Sequence, residues 1–253
     1  MKFSVIIPAY NEGARAAAAA KAVLKHAVGA DAEVILAVAG RSDAAVYRGL
    51  PVEVKVIVSP RGRARQMNLG AAAATGDVLL FLHADTVLPP GALMAAEQAL
   101  RPGYHRCGAF RLKLDSENAW LRFVAWTANI RNVFTGTPYG DQAIFIKTAL
   151  FRALGGYAEL PIMEDVDLVR RARLAGGRPV ILKDYVVSSA RRWEKDGLLA
   201  VTLTHHALRL LYFFGVAPEK LAAFRNARGT AGKFSALSGS GAGRAAPDAT
   251  EAR

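Results

Sequence analysis

The chain has 253 residues, of which 52% are hydrophobic and 21% are charged, and Cys107 is its only cysteine. This composition excludes a mainly disordered protein, and one cysteine excludes an intrachain disulfide framework or a multi-cysteine metal site. The 33 Lys and Arg against 21 Asp and Glu give a formal charge of +12, which attracts nucleic acid, an acidic membrane surface or a phosphate-bearing substrate.

The first half of the sequence alternates short apolar runs with helical stretches. The predicted strands are 3–7, 33–38, 52–58 and 78–82, and the predicted helices are 12–28, 63–74 and 90–100. We expect the first strand to stop at Pro8. Fully apolar strands separated by helices predict an α/β fold, with a mostly parallel, Rossmann-like central sheet covered by helices on both faces.

The second half is less regular. A strand is predicted at 107–114 and an amphipathic helix at 120–134, followed by a glycine-initiated segment at 139–147 and a helix at 164–175. From Gly229 onward, Gly, Ala, Ser and Arg show no periodicity, which predicts a disordered tail over 229–253.

The stretch 197–216 is the most apolar candidate for membrane contact. His205, His206 and Arg209 lie in its middle, and their burial cost argues against a membrane span. Two interpretations stay open: a helix that packs across the C-terminal half, or an interfacial helix over 198–214 that meets a membrane surface. With no signal-peptide pattern at the N-terminus, we expect a cytoplasmic protein, with peripheral contact at the inner face of the membrane as the second interpretation.

Polar residues follow every predicted strand of the first half. They are Tyr10-Asn11-Glu12, Gly40-Arg41-Ser42, Arg61-Gly62-Arg63 and His83-Ala84-Asp85. In parallel sheets, the ligand crevice lies at the carboxyl ends of the strands. A carboxylate such as Asp85 can hold a divalent cation that binds a diphosphate, although a turn or helix-capping role is an equal alternative.

The basic run at 61–68 leads into a helix N-terminus, so Arg61, Arg65 and Asn68 are candidate phosphate-binding residues. Aromatic residues are not interleaved with this run, and the acidic strand ends would repel a polyanion. We therefore expect no nucleic-acid partner.

Three carboxylates open the helix predicted at 164–175. Glu164, Asp165 and Asp167 complement the helix dipole, which is a structural role. Alternatively, repulsion between the adjacent Glu164 and Asp165 raises one pKa enough for a general base. Gly140, Asp141 and Gln142 combine a tight backbone with groups that recognise hydroxyls, and Arg192-Trp193 is a basic–aromatic pair suited either to a leaving phosphate or to surface packing.

The order of these motifs strongly resembles that of the family 2 glycosyltransferases. The carrying motifs are Pro-Ala-Tyr-Asn-Glu at 8–12, the basic run at 61–68, His-Ala-Asp at 83–85, Gly-Asp-Gln at 140–142, Glu-Asp at 164–165 and Arg-Trp at 192–193. The His-Ala-Asp motif resembles that of a compact bacterial subgroup. The resemblance covers about residues 2–226 and implies a GT-A fold with C-terminal helices. Residues 1–101 would bind the nucleotide sugar, and residues 102–228 would bind the acceptor.

The resemblance also implies a role for each motif in a hexosyl transfer from a nucleoside diphosphate sugar to an acceptor hydroxyl, with inversion. Pro8, Tyr10, Asn11 and Glu12 would line the nucleoside pocket. Asp85, with His83 beside it, would hold Mg²⁺ or Mn²⁺ on the diphosphate, and Arg192 and Trp193 would lie near it. Asp165 would be the base, next to Glu164. Gly140, Asp141 and Gln142 would lie near the sugar or the acceptor.

The sequence departs from the family pattern after the second predicted strand. Val38 stands where the family usually has an acid that contacts the nucleobase, and Asp43 matches a later acid. Valine cannot accept a hydrogen bond from a base edge. Three interpretations stay open: a different nucleotide, recognition by the backbone and Asn11 alone, or a degenerate protein that binds nucleotide sugars without transfer. The sugar, the acceptor and the oligomeric state are not predicted.

Overall fold

The computed structural model describes residues 1–40, 47, 49–101 and 103–227. The strands are β1 (Phe3–Tyr10), β2 (Ala32–Ala39), β3 (Val54–Val58), β4 (Val78–Phe81), β5 (Thr86–Val87), β6 (Cys107–Asp115), β7 (Ile144–Lys147) and β8 (Val180–Ser189). The helices are α1 (Gly13–His26), α2 (Arg63–Ala72), α3 (Ala92–Leu100), α4 (Ala119–Thr135), α5 (Thr148–Ala153), α6 (Glu164–Gly176), α7 (Arg191–Asp196), α8 (Leu198–Phe213) and α9 (218–227), with a 3-10 turn at Gly140–Gln142. Arg41, Ser42, Asp43 and the predicted tail 229–253 lie outside the described residues.

The strands form one sheet in the order β3-β2-β1-β4-β7-β6-β8-β5. Neighbours from β3 to β4 are parallel, β7 runs antiparallel to both β4 and β6, and β8 is parallel to β6. This topology confirms the predicted α/β fold with a mostly parallel sheet. Because β4 and β7 are adjacent, the Gly140–Gln142 turn that precedes β7 lies near the carboxyl end of β4.

Helices cover both faces of the sheet, as the apolar strands predict. Val5 and Ile7 belong to a buried cluster with residues of α1 and α3, whereas Ile6 points into a second cluster with residues of α2, α5 and α6. This alternation along β1 follows from the two-residue period of a strand. The edge strand β3 departs from the prediction of full cover, since Val58 is 87% exposed.

The prediction that β1 stops at Pro8 is wrong, because the strand continues to Tyr10. The pairing of β1 with β4 ends at Ile6, which accepts a hydrogen bond from the Leu82 amide. The backbone of Pro8 faces β4, as that of Ile6 does, but it lies beyond the end of the β1–β4 pairing. No hydrogen bond between these strands therefore requires the N–H that proline lacks.

Helix α2 packs closely against the strands β1 and β2. A Cβ on Gly70 would lie 2.5 Å from Cγ2 of Ile6, so only glycine permits this approach. The buried Gln66 amide donates to the carbonyls of Ala9 and Ala37 at 2.8 and 2.7 Å, which ties α2 to the carboxyl ends of β1 and β2. The N-terminus of α2, with Arg63, is thereby fixed at the edge of the sheet where polar residues gather.

Several elements of the described chain were not predicted from the sequence, namely the strands β5, β7 and β8 and the helices α5, α7 and α9. The exposed Lys183 and Asp184 interrupt the apolar pattern of β8, although the strand pairs in parallel with β6 along most of its length. Beyond β8, the C-terminal helices close one side of the structure. Leu208 of α8 is buried with Ile162 and Leu221, so this helix packs across the C-terminal half.

Candidate active site

A cleft of about 450 Å³ lies between the carboxyl end of β4 and the helices α4, α6, α7 and α8. Its charged and imidazole side chains are Asp85, Asp141, Asp165, Arg63, Arg131, Arg192, Arg209, Arg225, His83, His205 and His206. The cleft thus brings together four of the motifs that the sequence separates, at 83–85, 140–142, 164–165 and 192–193.

Arg63, which lines the cleft, connects the N-terminal and C-terminal halves of the fold. Its Nε donates to Oε1 of Glu164, its Nη1 lies 3.2 Å from Nε2 of His83, and its Nη2 lies 4.0 Å from Oδ2 of Asp165. Glu164 is only 2% exposed and does not line the cleft. It therefore supports the site from behind, by holding Arg63 against the first turn of α6.

Asp165 lines the cleft with both carboxylate oxygens held by backbone amides. Gly140 N–H donates to Oδ2 at 2.7 Å, and Val166 N–H donates to Oδ1 at 2.9 Å. A Cβ on Gly140 would lie 2.9 Å from Nε2 of His83 and 3.0 Å from Oδ2 of Asp165. A glycine at 140 is therefore what allows the turn, the imidazole and the carboxylate to meet.

Asp141 faces the cleft beside Asp165. Desolvation and the negative charge of Asp165 raise the pKa of Asp141 to about 6. Its Oδ1 is buried and has no hydrogen-bond partner within the described residues. A carboxyl group with an unsatisfied buried oxygen in a cleft is suited to accept a hydroxyl of a ligand.

Gln142 does not reach the cleft. It is 1% exposed, and its Oε1 accepts from the Asn132 amide and from Tyr139 N–H, while its Nε2 donates to Phe110 O at 2.9 Å. Its hydrogen bonds hold the 140–142 turn against α4 and β6. The residue predicted to lie near the sugar or the acceptor therefore acts here as a support of that turn.

His83 and Asp85 differ in their fitness to bind a metal ion. Desolvation and the positive charge of Arg63 lower the pKa of His83 to about 3, so the ring is neutral at pH 7. Because an arginine can only donate, the contact with Arg63 occupies the Nε2 lone pair of His83. Asp85 has no ion pair within the described residues and faces the cleft.

No three potential metal-ligating side chains cluster together within the described part of the chain. Mg²⁺, however, is commonly bound by one or two carboxylates together with substrate phosphates. Asp85 fits that donor set with a diphosphate present, whereas His83 in this arrangement does not.

The residues predicted to line the nucleoside pocket gather at the ends of β1 and β2, outside the cleft lining. The guanidinium of Arg61 lies 4.6 Å from the Tyr10 ring centroid. Asn11 adopts a left-handed conformation with φ 54°, and a Cβ on Gly40 would lie 2.4 Å from its Oδ1. Pro8 and the 6%-exposed Val38 lie in the adjacent strands.

Glu12 connects this group to the cleft. Its Oε1 lies 3.5 Å from Arg191, the neighbour of the cleft-lining Arg192.

The side chains of the basic run at 61–68 contact different parts of the structure. Arg65 forms a surface ion pair with Glu159 at 2.8 Å, and Asn68 exchanges two hydrogen bonds with the backbone of Tyr157 at 2.9 and 2.8 Å. The structure thus places neither Arg65 nor Asn68 in the cleft. Arg63, which the sequence analysis did not single out, is the arginine at the centre of the site.

Arg192 and Trp193 line the cleft as the motif order suggests. The Trp193 ring packs edge-on against His205, with 5.4 Å between ring centroids, and its Nε1 is buried without a partner in the described residues. Arg131, Arg209 and Arg225 also line the cleft but carry no recognisable sequence motif. They lie on helices α4, α8 and α9, so it is the packing of these helices that brings them into the cleft.

The chain is similar to known proteins both in sequence and in fold. The family model named Glycosyl transferase family 2 matches residues 4–153. The structure of S. aureus TarS superposes with a TM-score of 0.59 at 18% identity, covering 80% of this chain and 39% of that chain. TarS 1–349 in complex with UDP gives a TM-score of 0.56 at 20% identity, with 80% and 65% covered. No curated protein matches the chain significantly.

A second complex, TarS 1–349 with UDP-GlcNAc, gives a TM-score of 0.58 at 19% identity and covers 90% of this chain and 72% of that chain. At these identities, the likeness to the TarS structures shows the fold, and it confirms the predicted GT-A architecture. The chain spans 39% of the length of the first TarS chain.

Proposed function

The chain belongs to glycosyl transferase family 2, and on that premise we propose that it transfers a sugar from a nucleoside diphosphate sugar to an acceptor hydroxyl, with Asp165 as the base. The observation that carries the proposal is the Asp165 carboxylate, held by two backbone amides in a cleft that also contains Asp85 and Arg192. The match of the family model confirms the family that the motif order predicted, while the His-Ala-Asp subgroup stays a prediction.

Asp165 would accept the proton of the acceptor hydroxyl as its oxygen attacks the anomeric carbon. The bond from that carbon to the diphosphate oxygen breaks, and the bonding electrons leave with the diphosphate. Only one carboxylate acts, and attack opposite the leaving group inverts the anomeric configuration. The amides of Gly140 and Val166 fix the carboxylate, so the base needs no rearrangement before it acts.

Arg192, which lines the cleft beside Trp193, would neutralise the departing diphosphate. A divalent ion would add further charge neutralisation on the diphosphate, and Asp85 would hold it. Because the Nε2 lone pair of His83 is already engaged by Arg63, the donor that the 83–85 motif offers is the carboxylate of Asp85. This favours Mg²⁺ over the Mn²⁺ that a histidine ligand would have supported.

The donor half would be 1–101 and the acceptor half 102–228, with the nucleoside at the ends of β1 and β2. TarS binds UDP and UDP-GlcNAc, which makes a uridine nucleotide the first donor to test. Val38 offers no hydrogen bond to a base edge. Recognition of the base would then rest on Asn11, Tyr10 and the backbone.

We also propose that the protein meets a membrane surface from the cytoplasmic side. No helix within the described residues is long and apolar enough to span a membrane. Exposed apolar side chains recur on α4 and on 198–214, namely Trp120, Phe123, Trp126, Ile130, Phe134, Leu199, Leu203, Leu210, Phe213 and Phe214. Neither helix contains an acidic residue, and such a face suits an anionic bilayer.

Asp165→Asn tests the transfer function. With UDP-GlcNAc and Mg²⁺, we expect this variant to bind UDP as the wild type does but to lose at least a hundredfold in donor turnover. Asp167→Asn is the matched control, because Asp167 lies on the same helix but forms an ion pair with Arg171 at 2.7 Å outside the cleft. Equal turnover in the wild type and Asp165→Asn would remove Asp165 from the base role. Binding without turnover by the wild type, across an acceptor panel, would favour the degenerate binding protein.

A further inference from the structure

Two arginines from the C-terminal half, Arg131 and Arg209, line the cleft without an ion pair within the described residues. Arg131 of α4 lies over the Tyr139 ring, 4.2 Å from its centroid, and donates to Oδ1 of Asn132 at 3.2 and 2.9 Å. Arg209 of α8 lines the same cleft. An aromatic ring and an amide orient a guanidinium but leave its charge in place.

No carboxylate within the described residues forms an ion pair with Arg131 or Arg209. Burial lowers the pKa of Arg131 from its ordinary value, and the charge of Arg209 lowers it further, so the two cations lie close enough to repel. Asp141 is the nearby acid, and with a pKa of about 6 it is mostly ionised at pH 7, but it forms no ion pair with either arginine within the described residues. Two like charges that face a cleft in this way create a favourable place for an anion.

Arg131 and Arg209 are not the arginine that the proposed function assigns to the donor diphosphate. That residue is Arg192 of α7, and it acts on Arg225 of α9: burial and then the charge of Arg192 lower the pKa of Arg225. The cleft is thus lined by arginines from four helices, with Arg192 and Arg225 on α7 and α9 and with Arg131 and Arg209 on α4 and α8.

We infer that Arg131 and Arg209 form a second anion subsite that binds a phosphate or carboxylate group carried by the acceptor. This inference rests on the proposed function, since it gives the acceptor its chemical class: a hydroxyl compound with an anionic group. Arg131 of this subsite lies near Asp141, whose Oδ1 has no partner among the described residues and is suited to accept a hydrogen bond from a hydroxyl of the same molecule. Binding of the anionic group would orient the acceptor hydroxyl toward Asp165.

Equilibrium dialysis with radiolabelled inorganic phosphate tests the subsite on the full chain. With UDP saturating the donor site, we expect the wild type to keep binding phosphate. Arg131→Gln and Arg209→Gln should each weaken that binding at least tenfold. Arg122→Gln is the matched control, because Arg122 lies exposed on α4 outside the cleft and should bind as the wild type does.

Arg192→Gln distinguishes the proposed diphosphate site from the subsite at Arg131 and Arg209. It should weaken binding of UDP but leave the phosphate bound at Arg131 and Arg209. Competition by acetate distinguishes the two anion classes, since strong displacement indicates a carboxylate and weak displacement indicates a phosphate. Thermal unfolding of each variant shows whether it is folded. If one of the two arginine variants does not fold, the other still tests the subsite.

Complete displacement of phosphate by UDP would overturn the subsite, as would unchanged binding in both Arg131→Gln and Arg209→Gln. The same dialysis judges the proposed function separately. If UDP and other nucleoside diphosphates fail to bind while phosphate binding depends on Arg131 and Arg209, the donor assignment fails and the anion subsite stands.

Discussion

Arg63, the first residue of α2, forms an ion pair with Glu164, the first residue of α6, across 101 positions of the sequence. The side chain of Glu164 is 3% exposed, whereas that of Arg63 is 41% exposed, so the acid is buried under the base. This pair connects the N-terminal half of the chain, which is proposed to bind the nucleoside, to the helix that carries Asp165. It therefore bears on both the stability and the geometry of the site.

Arg63→Ala should destabilise the protein, because Glu164 would keep a buried charge without its partner. We expect a loss of about 1–3 kcal/mol, less than for a fully buried pair, since water screens part of the Arg63 side chain. Urea unfolding measures this loss. Arg65→Ala is the control, and removal of its surface pair with Glu159 should cost less than about 0.5 kcal/mol. If the double variant Arg63→Ala/Glu164→Gln is no more stable than Arg63→Ala, the buried charge is not the cause.

The pH dependence of stability should reflect Asp141. Its pKa of about 6 in the folded protein lies above its ordinary value of 3.8, so the folded state holds a proton that the unfolded state has lost. The contribution of Asp141 to stability should therefore fall as the pH rises from about 4 to about 6, by about 1–3 kcal/mol, while the lowered pKa of His83 acts in the opposite direction. Asp141→Asn should remove the Asp141 contribution, which changes the slope of the profile in this range, and should stabilise the protein at pH 7.5, as measured by urea unfolding. Exposed Asp184→Asn should leave the profile unchanged, and an unchanged profile in Asp141→Asn would contradict the assignment.

Gly140→Ala should impair turnover more than stability. The added Cβ would meet Nε2 of His83 and Oδ2 of Asp165, so the carboxylate must move away from the position that Gly140 N–H now fixes. We expect at least a tenfold loss in donor turnover. Gly70→Ala gives the contrast, because its Cβ would meet Ile6 in the core; it should lower the unfolding free energy while kcat is retained. Equal kcat values for both variants would show that the approach at Gly140 does not position Asp165.

Asp85→Asn should weaken the affinity for divalent metal, whereas His83→Gln should not. Asp85 offers a carboxylate to the cleft, and the Nε2 of His83 is engaged by Arg63. The measurement is donor turnover against Mg²⁺ concentration after treatment with EDTA. We expect Asp85→Asn to need at least tenfold more Mg²⁺ for half-maximal turnover. A similar shift in His83→Gln would show that His83 binds the metal.

The apolar face of α4 should bind anionic vesicles. Phe123 and Trp126 stack with 5.8 Å between ring centroids and are 52% and 57% exposed, so both can enter an interface without unfolding the helix. The Phe123→Ser/Trp126→Ser variant should lose sedimentation with phosphatidylglycerol vesicles. Val58→Ser, on the exposed edge strand, should sediment as the wild type does. Sedimentation of all three proteins to the same extent would place the contact elsewhere.

Much of the fold was predictable because the apolar strands are short, unbroken and separated by helices. The strand at 78–81 and the helix that opens with Glu164 and Asp165 were recognised from these patterns, and the motif order indicated the family. The strand β8 was missed because Lys183 and Asp184 break its pattern. Its pairing with β6 stabilises it despite these charges.

The sequence by itself determined which chemical groups are present and in what order, and that order sufficed to recognise the family. Only the tertiary structure decided which arginine of the run at 61–68 reaches the acids, that Gln142 lies behind the turn, and that Arg131 and Arg209 face the same cleft. The physical reason is distance along the chain. Local spacing fixes the face on which a side chain lies, but its partner is set by the packing of elements up to a hundred residues away.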